Sequence, residues 1–205
     1  MSSESRTYRK GRRAESEAQT RLRITESAVR LHGTVGPSRT SMSAVAEHAG
    51  VQRSTLYRHF PDEAALFEAC SAHWAAANPP PDLTAWAAIR DPDERLRVAL
   101  VELYAYYERT APMLENLVRD EQVSDVVRER FKAFHAFVAI AADTLLAGRG
   151  VRGAARRRMR AAIGHALAFS TWRSLVSEQG LSQAEAVELA CGFVLSPARC
   201  TPRRH

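Results

Sequence analysis

The segment from Thr40 to Phe60 constrains the fold of this chain more than any other. Its first half places small or aliphatic side chains at three- and four-residue spacing, which predicts a helix with one buried face: Met42, Val45, Ala46 and Ala49. Gly50 follows, where a residue without Cβ allows a helix to stop and the chain to turn sharply. Leu56 and Phe60 then mark the buried side of a second helix. The sequence therefore predicts two short helices joined by a tight turn.

The second of these helices leaves hydrogen-bonding side chains outside its buried stripe. Such groups contact phosphates and base edges when a helix lies in a DNA groove. Thr40 or Ser41 is also placed to cap the first helix. We therefore expect a DNA-binding surface formed by Thr40, Ser41, Ser43, Gln52, Arg53, Ser54, Thr55, Tyr57, Arg58 and His59. Within it, Gln52, Arg53 and Thr55 are predicted to read base edges.

Over residues 20–69 the sequence resembles the TetR family of bacterial transcriptional repressors. The resemblance is carried in order by a first helix TRLRITESAVRLHGTVG, the Thr40–Ser41 start, the Ala46–Val51 turn, the Thr55–Phe60 recognition helix and the PDEAALFEA start of a fourth helix. It implies an all-α protein with an N-terminal three-helix helix-turn-helix domain and a C-terminal helical ligand-binding and dimerisation domain. It also implies a homodimer formed by the last two helices and a double-stranded DNA operator.

Three positions differ from the pattern of that family. Ser43 stands where a basic residue is common, and Gln52 stands where serine often caps the recognition helix. Glu63 replaces the lysine that often opens the fourth helix beside a DNA phosphate. These differences predict fewer direct contacts from the second helix, a Gln52 that is available to read adenine, and repulsion between Glu63 and a nearby phosphate.

The positive charge of the chain is concentrated near the N-terminus. Residues 1–60 hold 11 basic and 5 acidic side chains, whereas residues 61–205 hold 18 of each sign. This distribution favours a polyanion that meets one end of the protein. An acidic membrane would attract the same charge, but no helix there pairs a basic face with a strongly apolar one.

We expect three regions along the chain. Residues 1–19 are predicted to be a flexible basic arm, with a solvated tail and a DNA-contacting arm as the two alternatives. Residues 20–77 form the DNA-binding domain including the linking fourth helix, and residues 78–205 form the regulatory domain. The boundary between the two domains is set at Asn78–Pro81, because consecutive prolines cannot continue a helix.

Helical periodicity continues through the second domain. One helix is predicted to carry Leu96 to Tyr107 and to end near Pro112, with a separate short helix at Met113–Leu117. A long helix is predicted at 122–147 and two more at 154–179 and 183–195, the last opened by a capping box of Ser182 and Glu185. The apolar face of the last helix is assigned to the dimer: Ala184, Val187, Cys191, Val194 and Leu195.

Aromatic side chains suggest where an effector binds. They favour an apolar or aromatic small molecule surrounded by Tyr104, Tyr107, Met113, Leu117, Phe134, Phe137, His165, Phe169 and Trp172. The polar tips of the tyrosines, the histidine and the tryptophan need partners if they are buried, and a ligand can supply one. The alternative is that these residues are ordinary core.

The sequence gives no support for catalysis. HExxH, paired CxxC, GxxxxGK and GxSxG patterns do not occur in it, and neither a cofactor nor a metal is expected. The chain shows neither a signal peptide nor a long apolar span. Cys70, Cys191 and Cys200 are widely spaced and odd in number, which indicates reduced thiols in the cytoplasm, with a redox-sensing thiol as an alternative. We predict a cytoplasmic, dimeric, sequence-specific transcriptional regulator, a repressor that a small apolar or aromatic ligand releases from a palindromic operator. The alternatives are a DNA-binding regulator without a small-molecule sensor and a helical enzyme or adaptor that does not bind DNA.

Overall fold

The computed structural model describes residues 3–195, with side chains from residue 11 onward. Ten α-helices occupy most of this range, and no strand occurs within it. They are α1 Ser3–Thr34, α2 Met42–His48, α3 Arg53–His59, α4 Glu63–Ala77, α5 Leu83–Ala88, α6 Pro92–Asp120, α7 Asp125–Leu146, α8 Gly153–Leu167, α9 Phe169–Trp172 and α10 Gln183–Leu195. A 3-10 turn, Pro37–Arg39, precedes α2, and a π-helix, Arg173–Glu178, follows α9. The expected all-α class is confirmed.

The helices form two compact units. Of the described residues, the first comprises 3–79 together with 112–129, and the second comprises 80–111 and 130–195. In the first unit α1 packs against α4 and α2, and α2 packs against α3. Its buried core consists of Ile24, Ala28, Met42, Val45, Ala46, Ala49, Leu56, Phe60, Leu66, Phe67, Cys70 and Val127. Burying one apolar stripe from each short helix stabilises elements that would not be helical alone in water.

The second unit has its own core. The large, fully buried side chains from α5 and α6 are Trp86, Leu96, Leu100, Leu103, Tyr104 and Tyr107. Helix α10 packs against α8 and buries Ala186, Ala190 and Val194. Its start has the predicted capping box, because the Glu185 carboxylate accepts from Ser182 N at 2.9 Å and Ser182 Oγ accepts from Glu185 N at 3.3 Å.

The predicted N-terminal arm is part of a helix. Helix α1 begins at Ser3 and runs to Thr34, so the boundary predicted between residues 19 and 20 is not a break in the helix. An ion pair between Arg13 and Glu17, four residues apart, fits this conformation. The side chains of the basic residues Arg6, Arg9 and Lys10 lie outside the described residues.

The prediction of a helix end near Pro112 is wrong. Helix α6 is continuous through Pro112, although proline has no N–H to donate to the carbonyl four residues earlier. Buried residues on both sides, Thr110, Met113 and Leu114, show that packing maintains the helix across this position. The compact units divide the chain differently from the predicted domains, since residues 112–129 group with the first unit.

The helix predicted at 154–179 is interrupted. Ala168 is extended, with φ −70° and ψ 135°, so α8 ends at Leu167 and a short α9 and the π-helix follow. Neither glycine nor proline marks this break in the sequence. The face assigned to the dimer on α10 is also divided, because Val187 and Val194 are buried in their own unit while Ala184 and Leu195 are exposed.

Within the described residues, no helix combines the length and the apolar content that crossing a membrane requires.

Candidate nucleic-acid interface

The turn between α2 and α3 has the geometry that its sequence predicts. Ser41 caps α2, with its Oγ accepting from Ala44 N at 3.2 Å. Gly50 has φ +63°, and Val51 N donates to Ala46 O at 2.9 Å, which closes the end of α2. The buried positions Met42, Val45, Ala46, Ala49, Leu56 and Phe60 are all confirmed. The spacing of the buried residues therefore determines which side of α3 is exposed to solvent.

The outer side of α3 carries the predicted DNA-contacting groups. Gln52, Arg53, Ser54, Tyr57 and Arg58 are exposed, whereas Thr55 and His59 are half-buried. In the preceding segment Ser41 is exposed and Thr40 and Ser43 are half-buried. Gln52 occupies the N-cap position of α3 but makes no capping hydrogen bond, which leaves its amide available for another partner. The exposed set thus presents guanidinium, amide and hydroxyl donors along one short helix.

Arg21 on α1 fixes the end of α3. Its Nη1 donates to His59 O at 2.5 Å, and its guanidinium carbon lies 4.1 Å from the centroid of the Phe60 ring. A cation above an aromatic ring is attracted to the ring face. The contact orients the last turn of α3 against α1. Arg21 was not among the predicted site residues, because the carbonyl that it binds, that of His59, lies 38 residues further along the chain.

His59 is held in its neutral form. Burial lowers its pKa, and the positive charges of Arg58 and Arg21 lower it further. Its Nε2 atom is buried without a hydrogen-bond partner among the described residues. A neutral imidazole at neutral pH offers one donor and one acceptor, which suits a hydrogen bond rather than a charge contact with phosphate.

At the start of α4, Asp62 caps the helix and Glu63 is exposed. Asp62 Oδ1 accepts from Ala65 N at 2.8 Å, and Glu63 occupies the first turn. Negative charge at a helix N-terminus is stabilised by the helix dipole. The dipole of α4 therefore stabilises Glu63 at this position, although its carboxylate brings a negative charge to this part of the surface.

The predicted effector-binding residues divide between the two units. Met113 and Leu117 belong to the first unit, where Met113 is buried and Leu117 packs against the core. The other seven lie in the second unit. There Tyr107 contacts the rings of Phe134, Phe169 and Trp172 at centroid distances of 6.4, 5.3 and 6.0 Å. These aromatic residues form one packed cluster.

The buried tyrosine hydroxyls of this cluster already have partners in the chain. Tyr104 donates to Ala166 O at 3.0 Å, and Tyr107 donates to Leu167 O at 2.6 Å. Both carbonyls lie at the end of α8, where the break at Ala168 removes their helical donors. Burial raises the pKa of both phenols, so they remain protonated donors. The two hydroxyls thus have the partners that burial requires, and both partners are backbone carbonyls of the chain.

Replacing Tyr107 by phenylalanine tests this role. Tyr107→Phe should lower the free energy of unfolding by about 1 to 2 kcal/mol, because a buried carbonyl loses its donor. Urea-induced unfolding measures the loss of stability, and hydrogen exchange of the α6 and α8 amides locates it in the structure. Tyr57→Phe, at a position that is 42% exposed, is the control. An equal effect of both substitutions would contradict the assignment.

His165 and the π-helix border an open pocket of about 160 Å³ in the second unit. The pocket is lined by His165, Ser170, Thr171, Ser174, Leu175 and Phe193. His165 is exposed, and its carbonyl accepts from Thr171 Oγ1 at 2.6 Å. Of the predicted effector residues, His165 alone lines this pocket.

Within the described range, no group of acidic, histidine and cysteine side chains has the arrangement of a metal site.

Comparisons with known proteins agree with this architecture. Residues 24–70 match the sequence profile of the bacterial regulatory proteins, tetR family. Over 57 residues the chain is 44% identical to the HTH-type transcriptional regulator AcrR of Shigella flexneri, a match that covers 27% of this chain and 26% of that regulator. The chain thus spans about a quarter of the length of this curated relative.

Solved structures extend the likeness to most of the chain. A TetR-family transcriptional regulator of Mesorhizobium loti has a TM-score of 0.61 at 18% identity, covering 88% of this chain and 95% of its own. NalD of Pseudomonas aeruginosa, the secondary repressor of the MexAB-OprM multidrug efflux pump, has a TM-score of 0.58 at 23% identity, with coverages of 89% and 96%. AibR, solved with isovaleryl coenzyme A and operator DNA, has a TM-score of 0.60 at 18% identity, with coverages of 85% and 97%. These likenesses show the fold.

The fold and the exposed α3 define an all-helical protein with an N-terminal helix-turn-helix. Residues 24–70, which carry α2 and α3, are similar to the N-terminal domain of the TetR family. The resemblance noted in the sequence is confirmed.

Proposed function

We propose that this protein is a cytoplasmic, dimeric, sequence-specific DNA-binding transcriptional regulator, and that it represses from a palindromic operator until a small apolar or aromatic ligand releases it. The observation that carries the proposal is α3 itself. Leu56 and Phe60 attach the helix to the core, and this leaves Arg53, Tyr57 and Arg58 exposed. A helix fixed in this way can enter the major groove with its side chains toward the bases.

The proposed DNA contacts divide into two classes. Gln52, Arg53 and Thr55 at the start of α3 read base edges, since the N-terminal residues of a recognition helix are those that reach the bases. Tyr57, Arg58, His59 and Ser41 contact the DNA backbone. Phosphate contacts fix the register of a protein on DNA without choosing the sequence.

Two substitutions separate these classes. Arg53→Ala should cost about 1 to 3 kcal/mol of operator binding and relax the choice of base at one position. Tyr57→Phe should weaken binding to specific and unrelated sequences by similar factors. Titrating both variants against a library of single-base operator changes measures the difference. If each variant loses affinity by the same factor for every sequence in the library, the division into base-reading and backbone-contacting residues is wrong.

Dimer formation follows from the proposed operator geometry. One α3 covers one half-site, and a two-fold dimer places two such helices about 34 Å apart in successive major grooves. On α10, Leu189 and Leu195 are 44% and 47% exposed. These exposed apolar side chains support a subunit contact through the last helix.

The effector proposal draws on the aromatic cluster of the second unit. Phe134 and Phe137 are half-buried, so their rings are the accessible part of the cluster, and His165 borders the open pocket. The tyrosine hydroxyls support a competing proposal, a regulator without a small-molecule sensor, because they are satisfied within the chain. An operator complex that survives a broad panel of apolar compounds would favour the competing proposal.

The experiment that tests the function is selection of genomic fragments by the purified protein at near-physiological salt, followed by footprinting of the best fragment. A protected site with two-fold symmetry is the expected result. Weak, salt-sensitive binding without a preferred site would overturn the proposal and favour the helical enzyme or adaptor, for which Arg53→Ala would leave nucleic-acid affinity unchanged.

A further inference from the structure

Three polar side chains on the last turns of α6 hold the connection between α1 and α2. Asn116, Arg119 and Asp120 lie at spacings of three and four residues, so they share one face of the helix. All three belong to the same unit as α1 and α2. We call these three residues the clamp, and residues 35–41 the connection.

The clamp closes the C-terminus of α1. The last carbonyls of a helix have no intrahelical donors and need partners from elsewhere. Asn116 Nδ2 donates to His32 O and to Gly33 O, both at 3.0 Å. Arg119 Nη2 donates to Val35 O at 2.9 Å, and its Nη1 donates to Asn116 Oδ1 at 2.8 Å. The two side chains therefore fix each other as well as the end of α1.

Asp120 brings a buried charge to the connection itself. Its side chain is 1% exposed, and it accepts from Ser38 N at 2.9 Å and from Arg119 Nε at 2.7 Å. A buried carboxylate is stable only when it is paired and hydrogen-bonded. Burial alone would raise its pKa, but the hydrogen bonds from Arg119 and Ser38 outweigh burial and leave the pKa lowered. The carboxylate is therefore charged at neutral pH and binds the backbone of the connection.

Gly36 allows the clamp to approach this closely. Its φ is +98°, and a Cβ there would lie 2.0 Å from Arg119 Nη2 and 2.6 Å from Asp120 Oδ2. Gly36 O in turn accepts from Thr40 Oγ1 at 2.7 Å, and the next residue, Ser41, caps α2. The clamp therefore holds the connection, and the connection in turn positions the start of α2.

The connection presents a charge that the proposed DNA contacts do not use. Arg39 is exposed at the end of the 3-10 turn, directly before Thr40 and Ser41. We propose that the clamp is a positioning device that holds Arg39, Thr40 and Ser41 against the DNA backbone, with Arg39 neutralising one phosphate. The inference rests on the proposed DNA-binding function and adds to it a phosphate contact and the residues that orient it.

The test compares operator affinity between about 50 and 200 mM salt for the wild type, Asn116→Ala, Asp120→Asn and Arg39→Ala. Each neutralised phosphate contributes about 0.9 to the slope of log affinity against log salt. All three variants should lose affinity at low salt and show a slope lower by about 1. Their loss of operator affinity relative to the wild type should therefore become about threefold smaller between about 50 and 200 mM salt. Glu115→Gln, at an exposed neighbouring position of α6, is the control and should match the wild type.

Combining variants separates positioning from general destabilisation. If the clamp acts through Arg39, adding Asp120→Asn to Arg39→Ala should not lower the slope again, because the same phosphate contact is already lost. A clamp that only stabilises the fold would reduce affinity at an unchanged slope, and that result would overturn the inference. Should Asp120→Asn not fold, Asn116→Ala and Arg119→Gln allow the same comparison. A wild type without a preferred DNA site would instead overturn the proposed function.

Discussion

Phe60→Ala should lower the free energy of unfolding of the first unit by about 3 to 5 kcal/mol, the cost of removing a fully buried phenylalanine ring. The ring has no exposed surface and belongs to the core of the first unit. Its loss also removes the face that holds the Arg21 guanidinium at 4.1 Å. The cavity and the lost cation contact both act on the end of α3.

Hydrogen exchange of the α1 to α4 amides is the appropriate measurement, because it reports the first unit separately from the second. Leu22→Ala provides the control, since Leu22 is 45% exposed on α1 and should change stability by about 0.5 kcal/mol or less. A loss below about 1 kcal/mol for Phe60→Ala would contradict a ring that anchors α3. Operator affinity should fall with the folded fraction in the same variant.

The exposed side of α3 was predictable because the sequence signals that determine it are local. Met42, Val45, Ala46 and Ala49 repeat with the period of a helix, and Gly50 sits where only a positive φ closes the turn. Once Leu56 and Phe60 are assigned to the core, geometry leaves Arg53 and Tyr57 outside. The exposure of Arg53 and Tyr57 therefore follows from residues 42–60 alone.

The partners of the buried polar groups could not be predicted in this way. Tyr104 and Tyr107 bind carbonyls that lie 62 and 60 residues further along the chain. Those carbonyls are available only because α8 ends before Ala168, a residue that carries no signal for a helix end. Asn116 likewise binds carbonyls of α1 more than 80 residues away.

Pro112 shows the opposite error, a strong local signal that tertiary packing overrides. Proline in a helix interior costs about 3 kcal/mol, which favours a helix end there. The structure keeps α6 continuous, and the residues after Pro112 include the clamp. Predicting two helices separated Asn116 and Asp120 from the helix that carries them, so their role was not visible in the sequence.

Lowering the pH from 7 to 4 should destabilise the first unit through His32. Its side chain is buried beside the Phe67 ring, 5.4 Å away between centroids, with Cys70 Sγ 3.4 Å from Nδ1. Burial lowers the pKa of His32 from 6.5 to about 4, and the negative charge of Asp120 opposes this shift only in part. The folded chain therefore binds a proton at His32 less readily than the unfolded chain.

The direction of the effect follows from linkage. Above pH 6.5 His32 is neutral in both states, and its full contribution to stability is present. As the pH falls, the unfolded state takes up the proton first, so the free energy of unfolding decreases until the folded state is also protonated near pH 4. A pKa difference of this size corresponds to about 3 kcal/mol.

The measurement is the free energy of unfolding against pH for the wild type and for His32→Gln, which cannot take up this proton. The variant should lack the His32 part of the loss between pH 6.5 and 4, about 3 kcal/mol, whatever its stability at pH 7. His73→Gln, at an exposed position on α4, should keep the pH profile of the wild type. Parallel profiles for the wild type and His32→Gln would mean that the buried imidazole takes up its proton as readily in the folded chain as in the unfolded one. In that case the tight packing around His32, between Phe67 and Cys70, would have to open at low cost in the native state.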